Sequence, residues 1–235
     1  MTVRIPSLER RVDEKVQKWI QAQLSHETSN AVPAPKLGPY LTVSRETGAG
    51  GSELAKQVAE QLGWDLLDQE IVDYMEQHYG TPRCLIQRVD EKHESWLSEL
   101  LTSRIGGLGF SESTYTHRVA KLVLLAASHG EVVIVGRGAK YLLPRENGLS
   151  IRVVAPMEAR IERVMRERSL NHKQAQQHIL QADRQRRTYI REHFYQDETD
   201  PHQYDIVLNM GIVSMDQATH LVMESLHQWT AIPTR

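Results

Sequence analysis

A three-layer α/β fold around a five-stranded parallel sheet is predicted by three features of this sequence. From residue 40 onward, short apolar runs alternate with longer helical stretches, the pattern of βαβ units. The first of these runs ends in a glycine-rich loop that opens a helix. The 235 residues are 40% hydrophobic and 25% charged, enough to bury one substantial core with room for an insertion, but not two large domains.

The elements follow in chain order. After Pro6, residues 7–24 place Leu8, Val12, Val16, Trp19, Ile20 and Leu24 on one helical stripe, opposite Glu, Arg, Lys and Gln. Such a helix suits packing on its own core or on a second copy of the chain as a homodimer contact, with a regulatory partner the next reading and a membrane surface the last. Pro33, Pro35 and Pro39, set among small polar residues, read as a linker. A boundary is therefore expected between an N-terminal segment, 1–39, and a main domain, 40–235. The expected strands of that domain are 40–44, 65–67, 132–135, 150–154 and 205–208. Between the second and third, a long helical interval is broken by Gly80-Thr81-Pro82 and Gly106-Gly107-Leu108-Gly109 and reads as a movable insertion, about 69–129. Between the fourth and fifth, residues 157–196 read as helical and carry Arg160, Arg163, Arg166, Arg168, Arg184, Arg186, Arg187 and Arg191, the strongest positive patch of the chain.

Several function classes are excluded at this level. A formal net charge of -2 gives no general basic field, so no specific nucleic-acid partner is expected. The single cysteine, Cys84, forms no intramolecular disulfide and reads as a small buried apolar residue. The 11 histidines show neither H-E-x-x-H nor a paired spacing with cysteine, and no G-x-S-x-G elbow occurs, which leaves catalytic zinc and serine hydrolysis without support. No apolar run approaches the ~18 residues of a membrane span, and Met1 to Pro6 lacks a signal-peptide core, so a cytoplasmic protein away from the membrane is expected.

The glycine loop carries the chemistry. Ser44-Arg45-Glu46-Thr47-Gly48-Ala49-Gly50-Gly51-Ser52 leads into a helix over 53–62 with apolar Leu54, Val58 and Leu62. Glycines let backbone amides turn toward an anion, and the helix N-terminus adds partial positive charge at the same place. Against the P-loop pattern G-x-x-x-x-G-K-[ST], Gly50 and Ser52 match, but Arg45 stands at the first glycine and Gly51 at the lysine. That lysine normally places charge on the β- and γ-phosphates, so Arg45 or an arginine of the later patch must supply it. Two other readings stay open here. Gly48-Ala49-Gly50 followed by Asp68 resembles a dinucleotide site, although Glu53 stands where its third glycine belongs. A tight strand-to-helix turn that binds nothing is the other.

Placement of arginines narrows the choice, because phosphoryl transfer is mostly positioning and charge neutralisation. Arg137 lies between two glycines at the end of the third strand, where open α/β sheets bind ligands. Arg184 and Arg187 lie three apart on one helix face, after Asp183. Arg166, Arg168 and Arg191 read instead as a solvated face.

The order of the glycine loop, Gly63-Trp64-Asp65-Leu66-Leu67-Asp68, Gly136-Arg137-Gly138, the arginine-rich helices and Tyr204-Asp205-Ile206-Val207-Leu208 resembles the cytidylate kinases, and still more their cytidylate kinase-like relatives with a Ser-Arg-x-x-Gly-x-Gly-Gly loop. The resemblance spans roughly 40–223. It implies a P-loop three-layer fold with a five-stranded parallel sheet, a helical monophosphate-binding insertion and an arginine-rich lid over about 157–197. It also implies ATP and Mg2+, with nucleotide substrates. On this reading Gly48, Ala49, Gly50, Gly51 and Ser52 form the phosphate loop, with Ser52 the magnesium-side hydroxyl. Asp68 lies beside the monophosphate nucleoside, Arg118 and Arg137 hold the acceptor phosphate, and Arg184 and Arg187 are lid arginines with Asp183 beside them. Gly138 departs from the family's Gly-Arg-Asp, which leaves the acceptor base open. The function expected is ATP-dependent phosphoryl transfer to a nucleoside monophosphate, cytidylate-like, or a similar small substrate, with Arg45, Arg184 and Arg187 catalytic. The alternative is a nucleotide-binding regulator with weak or no turnover, favoured by Gly51 and using the N-terminal helix as its partner-binding arm.

Overall fold

The computed structural model describes residues 37–68 and 115–231. The N-terminal helix expected over 7–24, and most of the insertion expected over 69–129, lie outside the described residues.

Five strands carry the sheet: β1 (Tyr40–Arg45), β2 (Asp65–Leu67), β3 (Val132–Val135), β4 (Gly148–Val154) and β5 (Ile206–Asn209). All pair in parallel, in the order β2-β3-β1-β4-β5. β1 is central, with Val43 opposite Val135 on one side and Ile151 on the other. Helices α1 (Gly51–Leu62), α2 (Tyr115–His129), α3 (Ala139–Leu142), α4 (Met157–Arg168), α5 (His172–Phe194) and α6 (Met215–Ala231) complete the described chain.

Period-2 alternation along each strand builds two cores, one on each face of the sheet. Leu41, Val43, Val133, Val135, Leu149, Ile151 and Val153 pack with Leu54 and Val58 of α1 and Val222 and Leu226 of α6. Tyr40, Leu67, Val132 and Ile134 face the other way, toward Val119, Val123 and Leu124 of α2 and Ile190 and Phe194 of α5. Each fully buried aliphatic side chain contributes about 1.5–3 kcal/mol. Leu37 joins this second core, and the Gly38 N–H donates to the Ala127 carbonyl at 2.8 Å, so the chain is already packed before β1 begins.

The helical stretch expected over 157–196 is two helices. Ser169 has φ 52 and ends α4, and Asn171 caps α5 by accepting from the Gln174 N–H while the Gln174 side chain accepts from Asn171 N–H. Ser-Leu-Asn is an uninterrupted continuation by periodicity alone; the cap is what divides it. The break lets α5 turn back across the carboxyl edge of the sheet.

Candidate active site

The loop between β1 and α1 is shaped by what packs against its glycines. Gly48 and Gly50 have φ of 77 and 88, the left-handed region that only glycine adopts cheaply. A Cβ on Gly48 would come 2.7 Å from the Arg160 carbonyl oxygen, so α4 lies directly on the loop. A Cβ on Gly50 would come 2.9 Å from Arg163 Nη1, whose guanidinium is also 2.7 Å from the Glu53 carboxylate. The first bond of α1 runs from Leu54 N–H to the Gly50 carbonyl at 3.0 Å, and the N–H groups of Gly51, Ser52 and Glu53 precede it. Ser52 is exposed in this first turn, while Ala49 is buried.

Arg45 lies between the glycine loop and the end of β3. A Cβ on Gly51 would lie 2.6 Å from Arg45 Cβ, and one on Gly136 would lie 2.3 Å from Arg45 Nη1. The side chain therefore passes between two glycines, one at each end, and emerges in a cleft of about 300 Å³ at the carboxyl edge of β1 and β3. Burial, then the neighbouring Arg186 and Arg137, pushes its pKa down to about 10, and Asp68, at the end of β2, acts in the opposite sense. Arg45 remains charged at neutral pH.

The same cleft takes in Arg137, which has φ 55 after β3 and whose guanidinium carbon lies 5.6 Å above the Tyr115 ring. Arg186, Tyr189 and Gln185 close it from α5, with Tyr141 from α3 and Glu198 from the chain after α5. Tyr141 stacks on Phe194 with 5.4 Å between ring centres, and Tyr189 meets Phe194 edge-on at 6.0 Å.

A polar latch holds α4 and α5 to the loop. Arg160 is buried; its Nε donates to the Thr47 carbonyl at 2.8 Å, its Nη1 to Glu46 at 3.2 Å and its Nη2 to Asp183. Asp183 also accepts from the Thr47 N–H at 2.9 Å and from Arg186 at 3.1 Å, and Arg186 donates to the Arg45 carbonyl at 2.8 Å. Burial opposes ionisation of Asp183, but the Thr47 hydrogen bonds and the Arg160 guanidinium outweigh it and hold its carboxyl below the ordinary range.

The residues singled out in the sequence separate accordingly. Arg45 and Arg137 meet in the cleft, beside the glycine loop. Asp183 sits in the latch, with its carboxylate engaged by three residues. Arg184 and Arg187 are exposed and line a different cleft with Arg191, Tyr195 and Asp197, while Arg186 takes the inward position on α5. Arg118 lies in α2. Sequence reasoning placed Arg160, Arg163 and Arg186 in the positive patch without giving them individual roles, and passed over Glu198. For Arg186 the available signal was its three-residue spacing from Asp183, and for Arg160 and Arg163 their position in the helix that follows β4.

Sheet order, glycine loop and the arginine-bearing helix over the carboxyl edge define a P-loop kinase type of α/β protein. The chain belongs to the cytidylate kinase-like family, whose model matches residues 40–212. Among solved structures, an uncharacterized protein from Eubacterium ventriosum is similar over 81% of this chain and 98% of its own, with a TM-score of 0.65 at 23% identity. A shikimate kinase from Bacteroides thetaiotaomicron is similar over 80% of this chain and 98% of its own, at 16% identity and a TM-score of 0.46. A curated relative, the uronate isomerase of Corynebacterium glutamicum, is 31% identical over 103 residues, which are 44% of this chain and 20% of that protein. The chain thus spans about a fifth of the length of that relative. Among the described residues no helix is long and apolar enough to cross a membrane.

Proposed function

We propose that this protein transfers the γ-phosphoryl group of ATP to a small acceptor bound in the cleft beside Arg45, Arg137 and Arg186. One observation carries the reading: a buried arginine is threaded between Gly51 and Gly136 and opens into the cleft beside the glycine loop. Three guanidinium groups converge on this one cleft, and such a cluster suits an anionic ligand better than an empty turn.

The loop fits a nucleotide's phosphates. The side-chain-free surface of Gly48, Gly50 and Gly51 and the amides at the start of α1 form an anion cradle, as a P-loop does. Magnesium, when bound, neutralises charge on the β- and γ-oxygens. Ser52 would hold it through its hydroxyl. Arg45 then opposes the charge on the transferred group, Arg186 fixes α5 against the loop, and Arg137 holds the acceptor, with Arg118 and Asp68 assigned to the acceptor side by the family pattern. Arg184 and Arg187 would serve the acceptor or the lid from the outer face of α5. A nucleoside monophosphate is one acceptor class to offer, and other small substrates are the second.

Calorimetric titration with ATP–Mg2+ and a coupled assay for ADP test the reading together. Binding in the micromolar range and acceptor-dependent ADP formation are expected. Tight ATP binding with no transfer to any acceptor or to water would leave only the regulatory alternative. Arg137→Ala should weaken acceptor use at least tenfold more than ATP binding, whereas equal losses would mark Arg137 as structural.

A further inference from the structure

We propose that the acceptor is an alcohol and that Glu198 takes its proton. The inference rests on the phosphotransfer reading and adds the chemical class of the acceptor. Glu198 is only 6% exposed, yet it is a wall of the cleft that holds Arg45, Arg137 and Arg186. Two neighbours contact it. Its carbonyl accepts from the Tyr204 hydroxyl at 2.9 Å, and its carboxylate lies 3.9 Å from Arg152 Nη1, whose guanidinium carbon is 5.6 Å from the Tyr204 ring centre. At 3.9 Å the pair attracts without a hydrogen bond, so the Arg152 contact leaves the carboxylate oxygens their capacity to accept.

A carboxylate in this position suits one acceptor class better than the other. A phosphate acceptor is already ionised and needs no base, which leaves a buried carboxylate in the cleft wall without a part in the transfer. An alcohol must lose a proton as it attacks, and a positioned carboxylate is what receives it. Burial, ahead of every other influence, raises the Glu198 pKa above the ordinary carboxylate range, against the pull of Arg186 and Arg152. Asp183 and Arg187 of α5, Arg45 of β1 and Tyr141 of α3 also act on it, and Tyr204 adjoins it. In the step itself, the acceptor oxygen bonds to the γ-phosphorus and the bond from that phosphorus to the β,γ-bridging oxygen breaks. Its electron pair leaves on ADP, and the acceptor proton passes to a Glu198 oxygen and from there to water.

The test uses the full chain with ATP–Mg2+ and four probes: CMP, cytidine, glycerol 3-phosphate and gluconate, with water present as a fifth O–H acceptor. Phosphorus NMR distinguishes a new phosphomonoester, or inorganic phosphate from water, from a pyrophosphate linkage. Transfer to O–H is expected, with Glu198→Gln lowering kcat about a hundredfold or more. That variant should bind ATP within threefold of the parent and lose the rising limb of the pH–rate profile, while Glu198→Asp keeps the limb at a reduced rate. CDP as the product, with Glu198→Gln as fast as the parent, would overturn the inference and leave the phosphotransfer reading intact. A Glu198→Gln profile lowered at every pH but unchanged in shape would also overturn it. A parent protein that neither binds nor consumes ATP would sink the phosphotransfer reading, and this inference with it.

Discussion

The collision distances at residues 51 and 136 make Arg45 and its two glycines one functional unit. With 2.6 Å at one end of the arginine and 2.3 Å at the other, neither glycine accepts a side chain while Arg45 keeps its path. Gly51 has no positive φ, so its requirement is steric alone. Gly51→Lys, which would restore the common loop sequence, is therefore expected to destabilise by about 1–3 kcal/mol and to lower turnover rather than raise it. Chemical denaturation and the ADP assay read both effects. Arg45→Met removes the charge and keeps much of the volume. Its expected signature is a fall of about a thousandfold in kcat with ATP affinity changed far less; an equal loss in both would place Arg45 in ground-state binding.

At the scale of elements, the α4–α5 pair depends on the latch around Asp183. Asp183→Ala leaves Arg160 buried beside Glu46 with one partner fewer and frees the Thr47 N–H, a loss of about 1.5–3 kcal/mol by the usual worth of charged hydrogen bonds. Because the folded-state pKa of Asp183 lies below its ordinary 3.8, its contribution is present above that value and is lost as pH falls through the folded value. Acid unfolding of the parent should therefore show a loss of stability below about pH 4 that Asp183→Ala lacks, measured by circular dichroism in urea. The strands were legible because β-branched runs such as Val132–Val135 sit between turn residues, and each was located to within two residues. Glycine spacing marked the loop, and two glycines around Arg137 marked the edge of β3. The phase of α5 was not legible: its mean hydropathy is low throughout, and only packing on β1 decides that Arg186 faces inward while Arg184 and Arg187 face out. Nor could spacing reveal Glu198, which lies 153 positions after Arg45 (198 - 45) and reaches the cleft through tertiary folding alone.

Across the whole molecule, the carboxyl edge of the sheet and the end of α5 are joined at Gly138 and Phe194. Gly138 has φ 70, and a Cβ there would come 2.2 Å from the Phe194 ring. Phe194 in turn packs on Tyr141 and Tyr189, two walls of the cleft, so the shape of the cleft depends on how Phe194 sits. An aspartate here, as in the Gly-Arg-Asp of the sequence resemblance, would have to displace the Phe194 ring. Gly138→Asp is expected to cost about 2–4 kcal/mol from overpacking and left-handed strain. Phe194→Ala alone should cost about 3–5 kcal/mol through the cavity it leaves. In the double variant the collision is gone, so the total should fall short of the sum by at least 1 kcal/mol, a coupling that a double-mutant cycle in urea measures. Strict additivity would mean that the ring already swings clear of residue 138.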